Sequence, residues 1–266
     1  MQMVATDLDG TIVGADQTVS PRTCRALMSC RGAGVEVVFV TGRPLRWMAP
    51  VVAATGIAGT AVCGNGAAVY DLAEGRLLAH HPVALDVLVP AVQLLRAALG
   101  PIDVALETLD GVVAEPGYRP TWDPDVTMPR AALPDLLADA PTVLKLLVRG
   151  RDGAQSDPML ALARTALDGA LTATHSNAGG NLLELSAPGI SKARTLADLV
   201  ALRGLVPADV VAFGDQPNDV EMLAWAGRGF AMADGHPAAL AAAHDLAPPF
   251  AEDGVAQILE RLLAAR

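Results

Sequence analysis

The sequence predicts an α/β protein: a doubly wound parallel sheet interrupted by an inserted α+β domain. Three observations predict it. Short apolar, β-branched runs alternate with helical periodicity in the first third of the chain and again after Ile190. The stretch between them carries more strands than helices, partly in hairpins. Two acidic strings, Asp7-Leu8-Asp9-Gly10-Thr11 and Gly214-Asp215-Gln216-Pro217-Asn218-Asp219, each follow an apolar run. That puts them at the strand ends where open α/β sheets bind ligands.

The elements follow in order. Met3 to Thr6 is a short apolar strand. Ser20-Pro21 supplies a capping hydroxyl and a first-turn proline for a helix that Gly32 to Gly34 should stop. Val35 to Val40 is a continuous β-branched run, as in a strand buried on both faces. Pro44 opens a second helix to about Thr55, and Gly59 to Cys63 is a third strand. This βαβαβ order implies a parallel sheet. Next, Val69-Tyr70 and Arg76 to Ala79 flank a turn over Asp71 to Gly75. Helical periodicity runs from Leu85 to Leu99. Ile102 to Glu107 and Val112 to Glu115 are strands around Asp110-Gly111, a hairpin turn signal. Leu133 to Asp139 reads as a short helix, Val143 to Val148 as a strand and Met159 to Leu167 as a helix. Leu171 to His175 and Leu182 to Leu185 are strands. After Ile190 come a helix to Leu202, a strand at Val210 to Phe213 and a helix from Asp219. A strand at Gly229 to Met232 and helices after Pro237 and at Val255 to Leu263 complete the chain. The expected domains are a core of 1–81 and 187–266 and an insert of 82–186, which is large enough for a core of its own.

The bulk composition narrows the function classes. The chain has 266 residues, 52% of them hydrophobic, and a net charge of −10. Alanine supplies much of the apolar count, and no apolar run is long enough to span a bilayer. The start, MQMVATDLDG, lacks the pattern of a secretory leader, so a soluble, cytoplasmic protein is expected. A nucleic-acid backbone would be repelled, and no basic patch offsets this. Cys24, Cys30 and Cys63 show no metal-binding spacing and read as reduced core or helix residues. A small anionic substrate is compatible with the charge, because a metal and a few cations set the field inside a pocket.

Asp7 and Asp9 stand two apart, so on an extended segment they project to one side. One could attack a phosphorus atom while the other protonates the leaving alcohol and later activates water. Taken alone, the same string could be a solvated turn. Asp215, Asn218 and Asp219 open a predicted helix, where one of them could serve purely as a cap. Asp215 is the best direct metal ligand, and Asn218 and Asp219 would orient water, Lys192 or the outer shell of the metal. Four carboxylates at one edge would repel without a cation, and a hard divalent ion prefers oxygen. Thr41-Gly42-Arg43 ends the second strand, where the Thr41 hydroxyl could donate to a phosphoryl oxygen. Lys192 begins a helix, where the macrodipole disfavours a cation unless a carboxylate or phosphoryl group lies close.

Asp-x-Asp-Gly-Thr, Thr-Gly-Arg, Lys and Gly-Asp-x-x-Asn-Asp, in this order over essentially the whole chain, resemble the haloacid dehalogenase-like phosphatase superfamily. The insert falls after the third strand, following Gly64-Asn65-Gly66-Ala67, as in the Cof-type branch with a large α/β cap. Ser191-Lys192 and Glu252-Asp253-Gly254-Val255-Ala256 are similar to that branch too. The resemblance implies Asp7 as nucleophile and Asp9 as general acid/base, with Thr41, Gly42 and Lys192 on the phosphoryl group. It further implies Mg²⁺ held by Asp7, the Asp9 carbonyl and Asp215, with Asp219, Asn218, Arg43 and Asn65 in support. The expected reaction is hydrolysis of a small phosphorylated metabolite, a sugar phosphate by resemblance, with no nucleic-acid, membrane or protein partner. A phosphomutase or phosphotransferase and a non-catalytic phosphometabolite sensor are the alternatives. Two departures from the branch, Ala193 after Lys192 and Ala231-Met232-Ala233-Asp234-Gly235 near the end, lie outside the catalytic set. Glu107, Tyr118, Trp122, Lys145, His175 and Asn181 are the insert residues considered for substrate contact. Lys145 could neutralise a second substrate charge, though a strand lysine more often lies at a solvated edge.

Overall fold

The structure is a computed structural model and describes residues 1–120, 127–151 and 153–266. These fall into two compact units, one formed by 1–79 with 191–266, the other by 80–190. Trp122 lies outside the described residues.

The first unit is built on β1 (Met3–Thr6), β2 (Glu36–Val40), β3 (Thr60–Cys63), β4 (Ala68–Asp71) and β5 (Arg76–His80), joined after the insert by a second group of strands. In the element numbering of the whole chain these are β11 (Val210–Gly214), β12 (Arg228–Met232) and β13 (Asp245–Ala247). Its helices are α1 (Pro21–Gly32), α2 (Ala49–Thr55), α6 (Lys192–Leu202), α7 (Val220–Trp225), α8 (Pro237–Ala242) and α9 (Gly254–Ala264). The sheet order is β13-β12-β11-β1-β2-β3-β4-β5. Neighbours from β13 to β3 run parallel, and β4 turns back antiparallel to β3.

Every residue of β1 and β11 is buried. That explains their uninterrupted apolar runs, since both faces are covered. Met3, Ala5, Val38, Val40 and Ala212 meet Leu196, Leu199, Met222 and Leu223 of α6 and α7. The alternate residues, among them Val4, Phe39 and Phe213, are equally buried and point to the other face, the side of the mutually packed α1 and α9. The Ser20 hydroxyl accepts from the Thr23 N–H and caps α1, as its sequence signature requires. The three cysteines are free, two on α1 and one on β3.

The chain leaves β1 toward β2 and β3, and leaves β11 toward β12 and β13. The strand order therefore reverses between β1 and β11, and a crevice outside the strand ends at such a reversal is where these sheets take ligands.

The second unit holds β6 (Ile102–Thr108), β7 (Gly111–Ala114), β8 (Val143–Gly150), β9 (Thr172–Thr174) and β10 (Leu182–Ser186), with α3 (Leu85–Leu99), α4 (Leu133–Leu136) and α5 (Ser156–Leu167). Its sheet runs β7-β6-β8-β10-β9, antiparallel throughout. Leu88 and Leu95 of α3 and Met159 and Leu160 of α5 share a core with Val104, Leu106, Leu146, Val148, Leu183 and Leu185 on one face. This is the α+β organisation that the middle of the chain implies.

Three local expectations are corrected. Pro44 begins only a 3₁₀ turn at Leu45–Trp47, and α2 starts at Ala49 with proline in its first turn. The helix read over Leu133 to Asp139 ends at Leu136. Asp219 closes a 3₁₀ turn over Pro217–Asp219, and α7 begins at Val220. Strand β13 had no expectation at all. No described helix is long and apolar enough to cross a membrane.

Candidate functional site

Asp7 follows β1, and Asp215 follows β11 immediately beside it. The Asp7 N–H donates to the Phe213 carbonyl at 3.0 Å, carrying the β1–β11 ladder to the strand ends. Lys192, at the start of α6, reaches the same place from behind. Its Nζ donates to Asp7 Oδ1 and to Asp219 Oδ1, each at 2.7 Å. Lys192 and Asp219 are fully buried, and Asp7 and Asp215 nearly so. The two carboxylates resolve the conflict of a cation at a helix N-terminus.

Carboxylate oxygens of Asp7, Asp215 and Asp219 lie within 4.8 Å of one another. They are not equally free to bind a further ion. Asp219 spends Oδ1 on Lys192, and its Oδ2 accepts the backbone N–H groups of Asp215 and Gln216 at 3.1 and 3.0 Å. It therefore organises the turn as well as the lysine. Asp215 accepts the Thr11 hydroxyl on Oδ1 and the Gln216 amide on Oδ2, both at 2.8 Å. Two glycines are required here by contact. A Cβ on Gly214 would lie 2.4 Å from Asp219 Cγ, and one on Gly10, whose φ is +81°, would lie 2.5 Å from Asp215 Oδ2.

The electrostatics follow from crowding three carboxylates around one ammonium. Burial, reinforced by Asp219, Asp215 and Asp9, pushes the Asp7 carboxyl well above the usual carboxylate range, against the pull of Lys192. Burial and then Asp219 push Asp215 up to about 6, against hydrogen bonds from Gln216 and Thr11. Burial alone would discharge Lys192, but Asp219 and Asp7 outweigh it and hold its pKa above the ordinary value. The centre is short of positive charge, as a site built for a cation would be.

Asp9 stands apart from this cluster. Its carboxylate, about half exposed, receives Arg43 Nε at 2.8 Å and a second guanidinium nitrogen at 2.5 Å. That nitrogen also donates to Gln17 Oε1 at 2.7 Å. Thr41 is fully buried, and its hydroxyl oxygen accepts the Arg43 N–H at 3.0 Å across the half-buried Gly42. Asn65 donates its backbone N–H to the Thr41 carbonyl at 2.9 Å and accepts the Asn218 amide on Oδ1 at 3.0 Å. Every sequence-predicted site residue thus belongs to the first unit, in two adjoining groups. One is the lysine–carboxylate cluster, and the other is the turn after β2 with its partners. Thr11, Gln17 and Gln216 were not assigned roles from sequence. Thr11 stands inside the first motif and Gln216 inside the second, whereas Gln17 carries no sequence signal beyond its polarity.

The residues considered in the insert sit differently. The strand-edge reading of Lys145 is corrected. It lies on β8, the middle strand of its sheet, nearly fully buried, with Nζ 2.5 Å from Glu184 Oε2. Glu107 is opposite Lys145 in the β6–β8 register, and the Ser176 hydroxyl donates to Glu184 Oε1 at 3.1 Å. His175 Nε2 lies 2.8 Å from Asp157 Oδ1. Arg149 donates to Asn181 Oδ1 at 2.7 Å and stacks 5.6 Å above the Tyr118 ring. Lys145 is therefore ion-paired within its own sheet.

A doubly wound sheet with a lysine-bridged aspartate cluster at its switch point, interrupted by an α+β insert, places the protein in the α/β class with an inserted domain. The family model described as haloacid dehalogenase-like hydrolase matches residues 4–259, and the chain belongs to that family. It is similar over its whole length to phosphatases. Pyridoxal phosphate phosphatase YbhA of Escherichia coli is 26% identical over 268 residues, covering 97% of each chain. The 5-amino-6-(5-phospho-D-ribitylamino)uracil phosphatase YitU of Bacillus subtilis is 27% identical over 271 residues, covering 97% of this chain and 96% of its own. In three dimensions, the HAD subclass IIB sugar phosphatase BT4131 superposes with a TM-score of 0.82 at 17% identity, covering 98% of this chain and 99% of that one. The protein is an enzyme of this family, and its fold is the HAD core with a cap-type insert.

Proposed function

We propose that the protein is a Mg²⁺-dependent phosphomonoester hydrolase that acts on a small phosphorylated metabolite through an aspartyl-phosphate intermediate. The observation that carries this reading is the sharing of one buried lysine between Asp7 and Asp219, with Asp215 alongside, at the reversal of strand order.

Asp7 is the nucleophile. Lys192 fixes one of its oxygens and pulls its pKa down against the burial and neighbouring carboxylates that raise it, so the carboxyl group is oriented before substrate arrives. The Thr41 hydroxyl and Lys192 ammonium are donors for the phosphoryl oxygens, and Gly42 lets the chain approach them. Asp9 protonates the leaving alcohol and then deprotonates the water that cleaves the acyl phosphate. To do so it exchanges its Arg43 contact for the substrate oxygen. Its half exposure leaves room for that, because the guanidinium covers only part of the carboxyl group.

The donor set fits a hard divalent ion. Asp219 accepts three hydrogen bonds, against two on Asp215 and one on Asp7, so Asp7 and Asp215, with the Asp9 backbone carbonyl, are the oxygen ligands we assign to Mg²⁺. When bound, the ion supplies the missing positive charge on the phosphoryl oxygens. The insert is the specificity element of this reading, a cap over 82–186 whose polar side chains select the substrate. A sugar phosphate is the substrate class we favour. The protein acts in the cytoplasm on a small phosphorylated metabolite, and its chemistry calls for no nucleic acid, membrane or protein partner.

The test is turnover of 4-nitrophenyl phosphate by the purified full chain. Activity abolished by EDTA and restored by Mg²⁺ supports the reading, and full activity in chelator overturns the metal assignment. Analysis of products from a sugar monophosphate separates release of phosphate from its transfer to a second hydroxyl. A screen of phosphorylated metabolites then names the substrate.

A further inference from the structure

Between β3 and β4 the chain passes through Gly64, Asn65 and Gly66 with φ of +62°, +58° and +102°. Three successive left-handed residues are unusual, and the middle one is not glycine. Asparagine tolerates this region better than most side chains, yet glycine would adopt it with less strain. A side chain kept at this position needs a reason beyond backbone shape.

The loop is clamped to the candidate phosphoryl site from both sides. The Asn65 N–H donates to the Thr41 carbonyl, and the Gly64 N–H donates to the Arg43 carbonyl at 3.0 Å. On the other side, the Thr195 hydroxyl donates to the Gly66 carbonyl at 2.8 Å. A Cβ on Gly66 would lie 2.3 Å from the Ser191 carbonyl oxygen, one residue before Lys192. Asn65 thus sits between the Thr41 turn and the start of α6. Its side chain is joined to Asn218, the neighbour of the Asp219 that holds Lys192.

The two amides satisfy each other only in part. Asn218 Nδ2 donates to Asn65 Oδ1, which leaves Asn65 Nδ2 and Asn218 Oδ1 buried without a hydrogen-bond partner. Asn65 is 2% exposed and Asn218 is 8% exposed. A simultaneous half-turn of both amides would again leave one donor and one acceptor unmatched. Buried donors left unpaired are costly, and native proteins retain them where a ligand completes them.

We propose that Asn65 is a phosphoryl-binding residue of this site, its unmatched amide N–H donating to an oxygen of the group held by Thr41 and Lys192. An anion beside Thr41 and Lys192 would supply the acceptor that Asn65 Nδ2 lacks. A donor fixed in a buried site favours an oxyanion more than it would in water, because it needs no reorganisation. This inference rests on the phosphatase reading and adds a residue to it.

The experiment measures binding of inorganic phosphate, by calorimetry and as product inhibition, in Mg²⁺ with the full-length protein. Asn65→Gly keeps the left-handed backbone and deletes the amide. Phosphate should bind about 10–100-fold more weakly, the value of one hydrogen bond to a charged group. Asn65→Asp keeps an acceptor for Asn218 and tolerates the same backbone, but replaces the donor by a negative charge. It should bind phosphate more weakly than the glycine variant. Affinity within about threefold of wild type in Asn65→Gly overturns the inference. So does recovery of wild-type affinity in Asn65→Asp, which would make Asn65 only a buttress for Asn218. Thermal melting checks the fold, and if the glycine variant melts early the near-isosteric aspartate variant decides alone. A wild-type protein that neither hydrolyses 4-nitrophenyl phosphate nor binds phosphate overturns the underlying reading, and this inference with it. A wild type that does both, with Asn65→Gly unchanged, overturns this inference alone.

Discussion

Each unit of the protein buries a lysine among carboxylates, and the two clusters differ in where the backbone puts them. Lys192 meets Asp7 and Asp219 at a strand end, a 3₁₀ turn and a helix start, with Asp215 close by. Lys145 meets Glu184 from the middle of two adjacent strands, with Glu107 opposite it in the ladder. In the first cluster the carboxylates outnumber the ammonium and raise one another's pKa, and amide groups beside them are left unmatched. In the second the pair is close and Ser176 completes Glu184. Surplus charge at the open end of a parallel sheet, with an unmatched amide donor beside it, marks a centre assembled for something it must bind. A pair within a sheet ladder is held by register, and its first-order role is internal.

The comparison breaks first at Asp7. Asp7→Asn keeps the size of the side chain and an acceptor for Lys192 but removes the attacking oxygen. Turnover of any phosphomonoester should fall by at least roughly 10³-fold, while the fold is kept or slightly stabilised as one of three crowded carboxylates disappears. Single-turnover assays on metal-replete protein check this, and residual turnover near wild type removes the covalent mechanism.

Lys145→Met is the matching substitution in the other cluster. It leaves Glu184 buried without its cation and should cost about 3–5 kcal/mol of stability in chemical denaturation. Adding Glu184→Gln should recover more than half of that. Hydrolysis of a small aryl phosphate by the double variant should change little. A Lys145→Met protein as stable as wild type would erase the distinction between the two clusters.

The two clusters were unequally legible in the sequence, for a physical reason. Strand-end carboxylates come as short strings, because glycine and aspartate must follow the strand directly for the chain to turn. Asp7-Leu8-Asp9-Gly10 and Gly214-Asp215 therefore stand out. Asp219 is three residues from its turn partner Gln216, so its capping role could be anticipated; its hold on Lys192 was one of several roles open to it, and tertiary packing selects that one. The Lys145–Glu184 pair joins residues 39 apart through a sheet register that no local pattern reveals. The bonds from Thr11 to Asp215 and from Arg43 to Asp9 likewise exist only because β1 lies between β11 and β2. Strand β13 escaped notice because only one of its three residues is buried, too little for a periodic signal. The helix read from Pro44 failed because proline favours a first turn of either helix type, and a 3₁₀ turn intervened.

Asp9 tests the separation inside the first unit between the carboxylate cluster and the Arg43-bound acid. A group that protonates the leaving oxygen matters most when the leaving group is poor. Asp9→Asn should lower turnover of an alkyl phosphate by about 10²-fold or more and that of an activated aryl phosphate by much less. Steady-state comparison of the two substrates reads the difference. Equal losses would place Asp9 with the structural partners of Arg43.

The smallest expected effect sharpens the claim that the first cluster is short of positive charge. Asp215 has its pKa held up to about 6 in the folded chain, first by burial and then by Asp219, against an ordinary value of 3.8. Between those values the folded protein keeps a proton that the unfolded chain has released. The carboxyl group therefore favours folding fully at low pH, and this contribution is lost as pH rises through about 6. In chelator, Asp215→Asn should become more stable relative to wild type over that window, by on the order of 2–3 kcal/mol, and then level off. A constant offset is expected beneath this change, because an amide cannot accept from both Thr11 and Gln216. Only the pH-dependent part is diagnostic, so denaturation is followed for both proteins at several pH values. Mg²⁺ should close the gap above pH 6 by stabilising wild type and not the variant, since the ion supplies the missing charge only where the carboxylate is present. A gap that is flat in pH, or that Mg²⁺ leaves unchanged, would mean that this centre is as self-sufficient as the Lys145–Glu184 pair.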